Sequence, residues 1–238
     1  MRLKFERKKK RIIINSIIYR ISKIIFLSNK RKFEFFSNLD WIINRIAHEA
    51  WMNEFAHSEE HPARQYLFRF LKNKIPDQAK VLDLGCGFGE ISGELAKICS
   101  EVVGIDKNAS KIQVACNKYA GANVTFICDD ALKYLKSNSQ KFDVLILSHI
   151  LEHLDEPYNL LNEFKEYFDY IYIEVPDFES SYFSIVKEKF NMQINYTDED
   201  HIYEFDRDGM SELLNSLNLQ ILHSEFRNGV MRYWIQRL

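Results

Sequence analysis

Short apolar runs and stretches of helical period alternate along the chain from Lys80 onward. Val81–Leu84 reads as a first strand, Gly85–Gly89 as a tight loop and Glu90–Ile98 as a helix. Val102–Ile105, Val124–Ile127, Phe142–Leu147 and Tyr170–Val175 are the next four apolar runs. Helical stretches separate them, which predicts right-handed crossovers and a doubly wound parallel sheet of the α/β class. Gly209–Asn218 places Met210, Leu213, Leu214 and Leu217 on one helical face. Leu219–Phe226 and Val230–Gln236 then flank Asn228-Gly229, the pattern of a hairpin.

Upstream of Lys80 the period is helical throughout. Ile13, Ile17, Ile21 and Ile24 recur at spacings of four, four and three, giving one apolar face. Trp41–Phe55, with Ile42, Ile43, Ile46 and Ala50, predicts a second helix; His61-Pro62 breaks it, and Ala63–Lys72 reads as a third. The chain is therefore divided into a basic N-terminal helical extension, 1–58, and a main domain, 59–238.

Charge sharpens that division. The first 32 residues carry twelve Lys or Arg and one acid, whereas the remaining 206 carry 20 basic and 33 acidic residues. An anionic partner is met by the arm and repelled by the body. Two readings of the arm stand: a helix that packs on the domain or on a second subunit, and a basic amphipathic helix lying on an anionic membrane surface. No small-residue cleavage site follows its apolar stretch, and no clean 18-residue apolar run suggests a membrane span. Cys86, Cys99, Cys116 and Cys128 form no CxxC pair, which fits reduced thiols. The expected location is cytoplasmic, with peripheral membrane contact through the arm as the variant.

Gly85, Asp106, Asp130 and Ser148 all fall at the carboxyl ends of predicted strands, where ligands sit in sheets of this kind. The loop resembles a dinucleotide fingerprint, but Glu90 stands where that pattern has its third glycine. A carboxylate at that helix N-terminus opposes a pyrophosphate, so an adenosyl ligand without phosphate fits better.

With Val81–Gly89, Val103-Gly104-Ile105-Asp106, Cys128-Asp129-Asp130-Ala131 and Phe142-Asp143-Val144 leading to Leu151-Glu152-His153-Leu154, the chain resembles the class I S-adenosylmethionine-dependent methyltransferases over about residues 60–238. The resemblance implies a Rossmann-like sheet of seven strands, the last antiparallel, and S-adenosyl-L-methionine as cofactor. It implies cofactor contacts from Asp83, Gly85, Cys86, Gly87 and Gly89, from Asp106 and Lys107, and from Asp129, Asp130 and Ala131. Ser148 and His149 join them on the methyl-donor side. Asp106 is expected on the ribose hydroxyls and Asp130 on the adenine amine. Glu174 and Asp177 lie at the carboxyl end of the fifth strand and border the acceptor side; there the resemblance implies His201 and Tyr203 as well, with His149 and His201 as candidate general bases.

His149-x-x-Glu152-His153 also matches the motif of inverted zinc peptidases. That motif requires a regular helix and a third ligand elsewhere, whereas here it follows directly on a buried strand, so a turn without metal is expected. The acidic body, and the absence of a Pro-Pro-aromatic or nucleophilic Cys sequence after the fourth strand, disfavour nucleic acid as acceptor. The leading expectation is O-methylation of a small polar acceptor, such as a sugar or a capsule or polysaccharide precursor. Lipid or quinone acceptors, a non-catalytic cofactor-binding module and a homo-oligomer stay open.

Overall fold

The computed structural model describes residues 13–24, 27–55, 61–138, 140–193, 198 and 200–237. The basic cluster Arg7–Arg11 lies outside them. The chain divides into two compact units, 1–44 and 45–238, so residues 45–58, placed in the extension by their helical period, count with the main unit.

The first unit holds α1 (Ile13–Ile24) and the opening of α2 (Asn29–Phe55). No glycine or proline precedes Pro62, so nothing in the backbone chemistry interrupts α2, which begins at Asn29 rather than at the expected Trp41. Ile17, Ile18, Tyr19 and Ile21 of α1 are all exposed. Among the described residues no helix is long and apolar enough to cross a membrane.

The second unit continues with α3 (Pro62–Leu71), started by Pro62 in its first turn and by the His61 side chain, which accepts from Arg64 N at 3.4 Å. Then follow β1 (Lys80–Leu84), α4 (Glu90–Leu95), β2 (Glu101–Asp106), α5 (Ala109–Tyr119), β3 (Val124–Cys128), α6 (Ala131–Asn138) and β4 (Val144–Ser148). The chain closes with α7 (Pro157–Phe164), β5 (Tyr170–Pro176), α8 (Tyr182–Lys189), α9 (Arg207–Ser216), β6 (Leu219–Arg227) and β7 (Val230–Arg237). The seven strands form one sheet in the order β3-β2-β1-β4-β5-β7-β6. β7 alone runs against its neighbours, pairing antiparallel with both β5 and β6. The fold is thus the doubly wound α/β sheet that the alternation of periods predicts.

The central strands β1, β4 and β5 are buried on both faces, which is why they read as continuous apolar runs. On β4, Leu145 and Leu147 point into a core with Leu135, Leu161 and Phe164, while Val144 and Ile146 point into a second core with Leu67, Phe70 and Ala115. Chain order reverses between β1 and β4, so the crevice lies at their carboxyl ends. Two boundaries differ from the period-based expectation. α4 ends at Leu95, past which the ladder turns irregular: Ala96 N and Cys99 N still bond four residues back, but Lys97 N and Ile98 N bond only three back, to Glu94 O and Leu95 O. β4 begins at Val144 because Phe142 packs against Phe168, their ring centroids 6.2 Å apart, while Asp143 N donates to Lys80 O.

Candidate active site

The glycine loop turns back on itself under the end of β2. Gly85 N and Cys86 N both donate to Ile105 O, and Gly89 N closes the turn on Cys86 O at 2.9 Å. Gly85 and Gly89 have φ of +70° and +81°, and a Cβ at Gly85 would stand 2.1 Å from Ile150 Cδ1. A Cβ at Gly89 would meet Ala115 and the Phe126 ring at 2.8 Å, so both positions need glycine for two independent reasons. Asp83 does not face the crevice, contrary to its expected cofactor contact. It is 2 % exposed and accepts from Ser92 Oγ at 2.6 Å beneath the loop. Burial lifts its pKa to about 7 against the Ser92 hydrogen bonds. Cys86 is likewise buried, and burial pushes its thiol pKa up.

A cavity of about 410 Å³ opens at the carboxyl ends of β1, β2 and β3. Six of the expected cofactor residues line it: Gly85, Asp106, Lys107, Asp129, Asp130 and Ala131. Asp106 Oδ2 accepts from Gly87 N at 3.0 Å and Oδ1 from Asn108 N at 2.8 Å, so this carboxylate fixes the loop and borders the cavity at once. Asp130 Oδ1 accepts from Lys133 N and Oδ2 pairs with Lys107 Nζ at 3.0 Å; these bonds, the backbone one first, hold its pKa below the usual carboxylate range. Ile150, His153, Leu154 and Asn159 also line the cavity. His153 stands on the 3-10 turn Leu151–His153, with Ile150 and Leu154 on either side of it, and Asn159 on α7. The cavity's size falls in the range of small-molecule sites.

His149 sits just past β4 with φ of +55°, a backbone conformation that non-glycine residues rarely take. Its ring is partly exposed, yet both nitrogens are engaged: Nδ1 with Glu152 Oε1 at 3.0 Å and Nε2 with Glu174 Oε1 at 3.3 Å. Burial of the nitrogens alone would lower its pKa, but the two carboxylates outweigh this and raise it to about 10. Two carboxylates on its two nitrogens favour the protonated ring, which speaks against its expected role as general base. Glu174, expected at the acceptor, is 3 % exposed instead. It receives Tyr172 Oη at 2.8 Å, Ser148 Oγ at 3.4 Å and the guanidinium of Arg232. Burial raises its pKa and these partners, His149 first, more than reverse that. Asp177 is also structural: Oδ2 holds Arg207 Nη2 at 2.7 Å and Oδ1 caps the turn at Glu179 N.

The other expected acceptor residues lie on a loop that folds over the Leu151–His153 turn. Ile202 N and Tyr203 N both donate to Glu152 O, at 2.8 and 3.2 Å, and Tyr203 Oη donates to Asp155 O at 3.0 Å. His201 is partly buried, with its side chain only 5% exposed and its Nδ1 3.1 Å from Glu204 Oε1. Tyr203 borders a second cavity of about 610 Å³ with Asp155, Tyr158, Asn159, Glu204 and Phe205. Asn159 borders both cavities, so the two adjoin.

Residues 75–218 match the family model described as "Methyltransferase domain". Among curated proteins, the chain is similar to the ubiquinone biosynthesis O-methyltransferase of Coxiella burnetii (strain RSA 493 / Nine Mile phase I), 33% identical over 96 residues, 39% of this chain and 41% of that protein. The protein of the same description from Serratia proteamaculans (strain 568) is 34% identical over 79 residues, 32% of this chain and 33% of its own length. The chain thus matches about two fifths or less of these relatives' length. Among solved structures it is similar to a SAM dependent methyltransferase from Archaeoglobus fulgidus, with a TM-score of 0.56 and 23% identity, covering 80% of this chain and 99% of that one. It is similar also to the N-methyltransferase NodS from Bradyrhizobium japonicum WM9 in complex with S-adenosyl-l-homocysteine, with a TM-score of 0.57 and 12% identity, covering 77% and 90%.

Proposed function

The chain belongs to the class I S-adenosylmethionine-dependent methyltransferases, and from that premise we propose that it methylates an oxygen of a small, hydroxyl-bearing acceptor. The observation that carries this reading is the pair of adjoining cavities, one rimmed by the glycine loop and Asp106, the other by Tyr203 and Phe205. The residues fit S-adenosylmethionine: a Cβ on Gly87 would meet nothing within 4 Å, leaving backbone open to a ligand, and the Asp106 carboxylate suits a diol. That cofactor supplies an already electrophilic methyl group, so the protein's task is to align the acceptor and exclude water.

The second cavity selects among acceptors. Asp155, Glu156, Glu204 and Asp206 line it together with Tyr158, Tyr203 and Phe205, and no basic side chain lies among its lining residues. Carboxylates and aromatic faces suit the hydroxyls and C–H faces of a sugar ring and disfavour a phosphate or carboxylate. A sugar or glycan precursor is therefore the first acceptor class. A quinone-type phenol is the second, favoured by the description of the curated relatives. Incubation with S-adenosylmethionine and parallel panels of sugars and catechols, read by mass spectrometry for a gain of one methyl, tests both. Turnover on a catechol but on no sugar would overturn the first class. Cofactor binding without turnover on either would identify a binding module.

Asp106→Ala should weaken S-adenosylmethionine binding by about 1.5–3 kcal/mol, roughly 10- to 150-fold, since it removes a charge-assisted acceptor and frees Gly87 N. Calorimetry on both proteins measures it, and an unchanged affinity would remove Asp106 from the ribose.

A further inference from the structure

We propose that Glu152, His153 and His201 form a binding site for one divalent transition-metal ion of the zinc type. Each offers one ligand atom, and these atoms lie within 4.8 Å of one another. A tetrahedral ion with bonds of about 2 Å holds its donors about 3.3 Å apart, so these would close by up to about 1.5 Å through ring and carboxylate rotations.

The second observation is an unspent buried oxygen. Glu152 is fully buried; its Oε1 pairs with His149, while its Oε2 has no hydrogen-bond partner among the described residues. A carboxylate oxygen left so is costly unless a cation or donor meets it. The third is the protonation pattern of the imidazoles. His153 Nδ1 lies 3.2 Å from Asp200 O. A carbonyl oxygen can only accept, so Nδ1 is the nitrogen that carries a proton and Nε2 is the one left for a metal. His201 Nδ1 is placed likewise against the Glu204 carboxylate at 3.1 Å. Both imidazoles are thus oriented through one nitrogen by an oxygen acceptor, the arrangement that fixes metal-ligating histidines.

The ligands come from two segments already tied together. Glu152 and His153 share the turn after β4, and His201 arrives on the loop whose Ile202 and Tyr203 amides bond Glu152 O. This answers the objection to the motif His149-x-x-Glu152-His153: His149 is consumed by Glu152 and Glu174, and the third donor stands 48 positions beyond His153. Two imidazoles and one carboxylate suit zinc, cobalt or iron rather than magnesium or calcium, which prefer oxygen sets. Asp198, Asp200 and His201 form an overlapping group. There, however, Asp198 is held by Arg45 at 2.8 Å and the Asp200 side chain is 74% exposed. His153 also lines the 410 Å³ cavity. On the reading above that is the cofactor's cavity, which adjoins the acceptor's, so the ion would stand beside the cofactor.

The test uses the full chain without a histidine tag, stripped with a chelator and titrated with zinc against a chromophoric competitor. One zinc per chain is expected, and magnesium should not compete. His153→Ala, a partly exposed position that the fold tolerates, and Glu152→Gln should each weaken zinc at least 100-fold. Asp198→Asn and His223→Ala should leave it unchanged. Failure of the unaltered chain to bind zinc, or zinc retained in His153→Ala, would overturn the site. So would loss in Asp198→Asn with retention in His153→Ala. Because the readout is binding alone, the proposal for the acceptor stands or falls separately.

Discussion

Arg232→Met is expected to destabilise the fold by about 3–5 kcal/mol, the scale for removing one partner of a buried ion pair. Arg232 is 1 % exposed on β7, bonded to Glu174 on β5 and to Glu225 Oε1 on β6 at 3.1 Å. Methionine fills much of the same volume, so the loss is electrical rather than steric. Glu174 would keep His149 and Tyr172, which places the cost towards the lower end of the range. Urea unfolding of the variant and of Arg232→Met with Glu174→Gln separates the causes. The double variant should recover part of the loss, because it no longer buries an uncompensated carboxylate. A cost below about 1 kcal/mol for the single variant would mean that Glu174 is not ionised.

The same residues show what the sequence makes legible. Strands were readable where both sheet faces are buried, since Val81–Leu84 and Val144–Leu147 then stand out as apolar runs. The glycine loop was readable because Gly85 and Gly89 occupy conformations only glycine takes easily. Pairings between distant segments were not. Glu174 and Arg232 face each other through the β5–β7 register, 58 positions apart, and no local pattern announces that meeting. The residue type of Glu174 at a strand end suggested an acceptor contact; only the partner strand reveals it as a structural charge. His149 fails for the same reason, since its state is set by Glu174 as much as by Glu152. His153 was legible only through the resemblance, whose Glu-His pair implies support of the cofactor pocket; a 3-10 turn of three residues has no period of its own to read.

Asp83→Asn should relieve a pH-dependent cost that the unaltered chain carries. Burial lifts the folded pKa of Asp83 to about 7, against an ordinary value of 3.8. A carboxyl raised in the folded state binds its proton more tightly there than in the unfolded chain. Its contribution to stability is therefore full below about pH 4 and is lost as pH rises through about 7. Three pKa units set an upper bound of about 4 kcal/mol on that loss at pH 8. Asparagine has the same shape, never ionises and can still accept from Ser92 Oγ, so it keeps the bond and drops the titration. The expected result is a stability difference, variant minus unaltered chain, that grows from pH 4 to pH 8 by up to this amount. Other titrating groups cancel in that difference. Urea midpoints of both proteins at each pH supply the measurement, and a flat difference would show that Asp83 ionises in the fold at its ordinary pKa. Since the side chain faces Ser92 rather than the 410 Å³ cavity, S-adenosylmethionine affinity at pH 6 should match that of the unaltered chain within about threefold. A larger loss would return Asp83 to the cofactor, the place that its position in the glycine-loop motif first suggested.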